Sequence, residues 1–377
     1  MRVLLIANHN PAAFGPGFEA QALADGWRSG APHVEVEPFA FSHCEPGISQ
    51  VWQAHAARVG GFSQTAFLDA CDPGPAQSPA AFAQDLAAQL YEAVRSKMSR
   101  IVVALPQYLE PDAGVAFLTE LGRLIQPEGG AGAQSGAGPH SALGEVTPER
   151  AQELVNIIGI ARQFLAKIDV VGAYASNMPL LGMHGMNGAA ALEGHLAAEV
   201  AQGRERQVNE LFHLMQGPYA ALDAADNRGS ATVLGLAGPN NQEPKAPSLK
   251  DLTRHDGGGA GGGLGFALAT LGARLLPAAQ VFGTQFDLPA RIAASDLVVV
   301  YQEKLDGRTF PDQVGHWAAQ LATSSISPVI VLSNEQIMSV RELSGQQVAS
   351  AYQVAGDSQS LFNMAQRLAK SWTPNRS

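Results

Sequence analysis

Four short apolar runs stand out along the chain: Val3–Ala7, Ile101–Leu105, Leu297–Tyr301 and Pro328–Leu332. Each is continuous rather than alternating, which is the pattern of a parallel strand buried on both faces. Helical spacing follows three of them. Gly17–Arg28 comes after the first, Ala113–Ile125 after the second and Val314–Thr323 after the third. In Ala113–Ile125 the apolar residues Val115, Leu118, Leu121 and Leu124 share one face. Strand, loop and helix in repetition predict an α/β architecture. Ligands of such sheets sit at the carboxyl ends of the strands, so the loops there are the places to look for chemistry.

Further helices are predicted over Pro148–Ala166, Gly188–Met215, Val340–Val354 and Ser358–Ser371, and a further strand in TAFLDA, Thr65–Ala70. Two stretches lack apolar periodicity. Residues 127–148 are rich in Gly, Ala and Ser and read as a flexible loop. Residues 238–256 read as an exposed loop that leads into a glycine cluster.

The 377 residues suit two domains rather than one. Charged residues make up 15%, well below the usual ~25%. The net charge of −10 disfavours nucleic acid as a partner. Cys44 and Cys71 lack metal-ligand or CxxC spacing and read as incidental buried thiols. The first apolar run is too short for a secretory signal, and no run approaches a membrane span. The expectation is a soluble cytoplasmic protein with no membrane partner.

Scarce charge makes clusters of it informative. Glu303, Lys304, Asp306 and Arg308 are concentrated just after the run Leu297–Tyr301. Asp306 suits a metal or a hydroxyl, and Lys304 or Arg308 suits a phosphate. A solvated turn cornered on Asp306-Gly307 accounts for the same residues. The strongest local signal is GGGAGGGLGFALATLGARLLP from Gly257. Gly257, Gly259 and Gly262 satisfy GxGxxG, yet no strand precedes them, so a dinucleotide fold is not indicated. Gly257, Gly258, Gly259, Gly261, Gly262 and Gly263 instead lead into an apolar helix from about Leu264. Such a turn either presents backbone amides to an anion or permits tight packing. Asn8, His9 and Asn10 after the first strand suit a polar ligand or a capped loop, and His184 reads as a loop histidine. Motifs of zincins, P-loop NTPases and serine hydrolases are missing.

Taken in order, these segments resemble the type I glycerate kinase family, which phosphorylates glycerate with ATP and magnesium. The glycine segment at 257–277 is similar to that family's glycine-rich helix start. ASDLVVVYQEKLDGRTF, residues 294–310, resembles its D-L-V-I-T-G-E-G-R-L-D-x-Q-T, with Asp296, Leu297, Val298, Leu305, Asp306 and Thr309 matching. SNMPLLGMHG resembles N-P-L-x-G, with Pro179, Leu180 and Gly182 kept. RIVVALPQYLEPDAGVAFL resembles the strand and loop I-G-G-S-A-T-N-D-G-G, with Asp112 and Gly114 as matches.

The resemblance implies a flavodoxin-like outer domain, residues 1–60 and 280–377, with a mixed α/β domain, 61–279, inserted into it and a ligand cleft between them. It implies ATP held by the glycine turn, and magnesium or the attacking hydroxyl oriented by Asp112 and Asp306. Lys304 and Arg308 would neutralise the substrate or the transferring group. The substrate would be glycerate or a similar small hydroxy acid.

Departures from the family pattern are also present. The first loop, NHNPAAFGPG, has neither the Asp nor the Lys of the family. Pro106, Gln107, Tyr108, Glu110 and Pro111 stand where small residues and donors approach phosphate, and Ala175 stands for an acid. Glu193, Gly194 and His195 replace Gln-Lys-Gly. Gln302 replaces a Glu, Lys304 an Arg and Gln313 a Lys. Phosphoryl transfer rests on positioning and charge, and one lost contact costs ~10²–10³ in rate. Two expectations follow. One is an ATP-dependent kinase. The other is a lapsed relative that acts as a binding or regulatory module, as a homodimer or with an active paralogue.

Overall fold

The computed structural model describes residues 1–8, 17–72, 78–126, 143–229 and 247–373. The chain divides into two compact units, residues 1–63 with 276–377 and residues 64–275. The first unit opens with β1 (Arg2–Asn8), α1 (Phe18–Gly30), β2 (Glu35–Phe41) and α2 (Ile48–Val59). The second unit is inserted there. It runs β3 (Thr65–Asp69), α3 (Pro79–Arg95), β4 (Arg100–Leu105), α4 (Val115–Ile125), α5 (Pro148–Leu165) and β5 (Asp169–Tyr174). It continues with α6 (Met186–Leu192), α7 (Ala198–Gly229), α8 (Leu249–Thr253), α9 (Leu264–Thr270) and β6 (Arg274–Pro277). The chain then returns to the first unit with α10 (Ala278–Gln285), α11 (Leu288–Ala293), β7 (Leu297–Leu305), α12 (Val314–Ser325) and β8 (Val329–Gln336). It ends on α13 (Val340–Gly345), β9 (Ser350–Gln353) and α14 (Ser358–Trp372).

The discontinuous unit carries a five-stranded sheet ordered β2-β1-β7-β8-β9. Its ladders are parallel throughout. Renumbered within the unit, this is the order 2-1-3-4-5 of the flavodoxin-like fold. Its apolar runs are central because both faces are covered. Val3, Leu5 and Ala7 with Leu297, Val299 and Tyr301 face α1 and α14, where Leu23, Trp27, Leu361 and Leu368 complete the core. The two helices touch closely because α1 carries small residues at the contact. A Cβ on Gly26 would lie 2.2 Å from the Phe362 carbonyl oxygen, and one on Gly30 2.6 Å from that of Gln366.

The inserted unit holds a four-stranded sheet, β3-β4-β5-β6, in which the β3–β4 and β4–β5 ladders are parallel. Its helices start on side-chain caps. Ser78 before Pro79 and Thr147 before Pro148 accept N–H bonds in the first turn, and the proline at the first helical position has no N–H to satisfy. Arg162 on α5 ties this unit together. It donates to Asp223 (2.7 Å) and Asp226 (3.0 Å) on α7 and to the Thr270 carbonyl (2.8 Å) at the end of α9.

Some expected elements differ. Gly188–Met215 is two helices, because Gly194 takes φ +79° and ends α6. Val340–Val354 is α13 followed by β9, with Gln347 at φ +65° between them. β7 runs on through Leu305, so Gln302, Glu303 and Lys304 lie on the strand and not in the loop after it. Most of the loop expected at 127–148, and part of that at 238–256, lie outside the described residues. No helix among the described residues is long and apolar enough to cross a membrane.

Candidate functional site

In the inserted unit three loops meet at the carboxyl ends of β4 and β5. They are the segment after Leu105, the segment after Tyr174 and the glycine turn before α9. Gly257, Gly261, Gly262 and Gly263 have φ of +76°, +61°, +67° and +99°, which L side chains rarely adopt. The turn is glycine-rich for a second reason. A Cβ on Gly259 would lie 2.4 Å from the Pro179 carbonyl oxygen, one on Gly262 2.6 Å from that of Glu110, and one on Gly263 2.4 Å from Ala113 Cα.

The amides of the turn are used inside the unit. Gly258 N–H donates to His255, Gly259 N–H to Met178 (2.9 Å), Gly261 N–H to Pro106 (2.8 Å) and Gly263 N–H to Gly259. The Gly262 carbonyl accepts from the Asp112 and Ala113 amides. Asp112 is committed as well. Its Oδ1 accepts from Gly114 N–H (2.7 Å) and its Oδ2 from Ala116 N–H (3.0 Å), which holds the first turn of α4. Burial pushes its pKa up, and the two amide bonds pull it back.

The loop after β4 also contacts the segment around α6 and α7. Gln107 donates to Glu193 (2.7 Å). The Tyr108 ring stacks on His195, with centroids 4.1 Å apart and planes 16° from parallel. Arg204 donates to Glu110 (2.8 Å). A groove of about 470 Å³ between α7 and α8 is lined by Glu205, Phe212, Leu249, Lys250 and Arg254. Glu205 is held by Gly182 N–H (2.9 Å) and Asn187 Nδ2 (3.0 Å). His184 in the neighbouring loop is exposed.

In the discontinuous unit Asp306 closes a turn. Its Oδ1 accepts from Arg308 N–H (2.9 Å), and its carbonyl accepts from Thr309 and Phe310. Lys304 Nζ lies 3.8 Å from Asp306 Oδ2 and 3.7 Å from Glu335 Oε2. Arg308 is exposed. Asn8 Nδ2 bridges both oxygens of Glu45, each at 3.1 Å. His9 and Asn10 lie outside the described residues. Cys44 and Cys71 are buried and not joined to each other. Ser333, fully buried in the middle of β8, is not singled out by the sequence. Its signal was a lone hydroxyl directly after an apolar run.

A family model described as the glycerate kinase family matches residues 85–373, well over half of the chain. The chain belongs to the glycerate kinase family. Among solved structures, a putative glycerate kinase 2 from Salmonella typhimurium LT2 is similar at 16% identity and a TM-score of 0.61. That match covers 99% of this chain and 98% of the other, and at this identity it is a likeness of fold. No curated protein matches.

Glycerate kinase membership makes this a kinase-type, transferase-type protein with a small-molecule substrate, in a family that uses ATP. The fit of ATP and magnesium can be tested on the residues. The glycine turn spends at least four of its N–H groups on its own unit, so it does not offer them to phosphate. Asp112 and Asp306 belong to different units, and each has carboxylate oxygen engaged by backbone amides. Among the described residues, no group of three or more His, Cys, Asp or Glu converges as a metal cage. As placed within the inserted unit, the glycine turn and Asp112 do not fit either group.

Proposed function

We propose that this glycerate kinase family member binds a small hydroxy acid of the glycerate type without transferring a phosphoryl group at the rate of a working kinase. The observation that carries this reading is the inward commitment of the glycine turn and of Asp112. Electrostatic catalysis needs donors already aimed at the charge that develops in the transition state. Here the donors of 258, 259, 261 and 263 are aimed at carbonyls of the fold. The reading extends to a cytoplasmic module that works as a homodimer or with an active paralogue. Calorimetry with D-glycerate tests binding. A coupled ADP assay with ATP, Mg2+ and D-glycerate tests transfer against the Asp112→Asn/Asp306→Asn double variant. Glycerate-dependent ATP consumption clearly above that control overturns the reading.

A specific observation favours ATP-dependent phosphorylation as the second reading. The family match spans Asp112, the glycine turn, Lys304, Asp306 and Arg308 together. Lys304 and Arg308 would then neutralise the substrate carboxylate or the transferring group. The same ADP assay decides between the two.

A further inference from the structure

Asn8, Gln302 and Ser333 are only 7%, 2% and 0% exposed, and each carries a buried polar atom with no partner: Asn8 Oδ1, Gln302 Oε1 and Ser333 Oγ. Register brings the three together. Ala7 pairs with Tyr301, so Asn8 is the next residue beside Gln302, and Gln302 pairs with Ser333. Registered residues of a parallel sheet point to one face. Ala7, Tyr301 and Leu332 point into the core against α1 and α14, so the row points to the opposite face. It crosses the last residue of β1 and the later halves of β7 and β8, three residues before those two strands end, and straddles the β1–β7 boundary. That boundary is the switch point of a 2-1-3-4-5 sheet, where such folds bind ligands.

The chemistry of the row is one-sided. Asn8 Nδ2 is taken by Glu45, and Gln302 Nε2 by the Lys304 carbonyl (2.9 Å) and the Gln313 side chain. Both amides therefore keep their carbonyl oxygens as the unpartnered atoms. Two pure acceptors and one hydroxyl remain. A carboxylate or phosphate brings only acceptors and meets two carbonyl oxygens. A hydroxyl group can donate to the amide oxygens and accept from Ser333. Adjacent strands lie about 4.8 Å apart, a spacing that hydroxyls on neighbouring carbons can bridge.

We propose that Asn8, Gln302 and Ser333 form a receptor for the hydroxyl groups of an uncharged polyol. This goes beyond the reading above and stands whether or not phosphoryl transfer occurs. The acceptors are covered in this state. A Cβ on Gly315 would lie 2.5 Å from Gln302 Oε1, so the first turn of α12 is the lid that has to yield. The row leaves buried acceptors unpaired, which is a cost that a ligand would relieve.

The test uses the full chain in calorimetry and thermal denaturation, with millimolar glycerol and erythritol as probes. Sodium phosphate, sodium lactate, potassium chloride and ammonium chloride serve as comparisons. Saturable binding and stabilisation by the polyols are expected. Ser333→Ala removes an unpaired hydroxyl, so the unliganded variant should be no less stable than the parent. Its polyol affinity should fall about tenfold, the worth of one hydrogen bond. Gln302→Met should weaken binding at least as much. No saturable polyol binding to the parent chain overturns the proposal. So does Ser333→Ala with lowered stability and unchanged binding, or saturable stabilisation by potassium or ammonium in place of the polyols. Glycerate-dependent ATP turnover overturns the function proposed earlier but leaves these outcomes as they are.

Discussion

Arg162→Met should be among the most damaging single changes in the inserted unit. The guanidinium donates to two carboxylates, Asp223 at 2.7 Å and Asp226 at 3.0 Å, and to the Thr270 carbonyl at 2.8 Å. It also bonds Tyr219 Oη at 2.5 Å and lies 5.0 Å from the centroid of that ring. Removing it strands two acids and a helix-end carbonyl among the side chains of α5, α7 and α9. Breaking a fully buried pair costs ~3–5 kcal/mol. Asp226 is 39% exposed and Arg162 and Asp223 are 19% and 15%, so solvent takes back part of that. A loss of about 3 kcal/mol is expected, or about 6–12 °C in Tm for a unit of this size. Urea titration followed by far-UV circular dichroism measures it. Adding Asp223→Asn and Asp226→Asn to the Arg162→Met chain should recover more than half of the loss, because the stranded charges go. A loss below about 1 kcal/mol, or no recovery in the triple variant, would refute the reasoning.

Four further outcomes follow from the geometry. Gly263→Ala forces φ +99° and a Cβ 2.4 Å from Ala113 Cα, and should cost about 3 kcal/mol. Gly272→Ala, at φ +90° with open space around it, should cost only about 1 kcal/mol in the same thermal melts. His55 is buried against Phe286, with its Nε2 on the Ala40 carbonyl, and burial lowers its pKa below 6.5. The unfolded chain therefore takes up the proton first. Stability should fall as pH drops through about 6.5 and level off below the folded-state pKa. His55→Phe should flatten that slope, and an unchanged slope assigns it to other groups. A double-mutant cycle on Tyr108→Ala and His195→Ala should show about 0.5–1.5 kcal/mol of coupling, and strictly additive losses would mean that the stack contributes nothing.

Four strands legible in the sequence are buried on both sides, although the equally buried β5 is not foreseen and the edge strand β3 is. β1, β4, β7 and β8 announce themselves because a central parallel strand has no polar face. β2 and β9 lie at the sheet's two edges, half-exposed, and read as EVEPFAF and SAYQ. β2 even carries Pro38, which the edge tolerates. The end of β7 was misjudged for a related reason. The β1–β7 ladder stops at Ala7, and Lys304 pairs with Glu335 on β8, so the strand continues through polar Gln302, Glu303 and Lys304 before reaching the buried Leu305. The glycine turn was visible as composition, but its role was not. Whether its amides face a ligand or a neighbour depends on Pro106, Glu110, Ala113, Met178 and Pro179, all far away in the sequence. Ser333 was illegible because its importance lies in sheet register, which no local window contains.

Gln107 and Tyr108 in one loop and Glu193 and His195 in another are partners of one another. Gln107 meets Glu193, and Tyr108 meets His195. Glu110, in the same loop, meets Arg204 at the start of α7. Each of these residues supplies the contact that the other needs, so they act as one junction between the two loops. A single change such as Tyr108→Ser would leave His195 without its ring and Glu193 still bound to Gln107. The glycine turn would stay where it is, because Gly261 bonds the Pro106 carbonyl and Gly262 receives Asp112 through backbone groups that side-chain changes do not touch. Restoring donors toward a phosphate would therefore require both loops to change together with the path of the backbone between Pro106 and Ala113. On the reading proposed above, that backbone path matters more than any single side chain of the two loops.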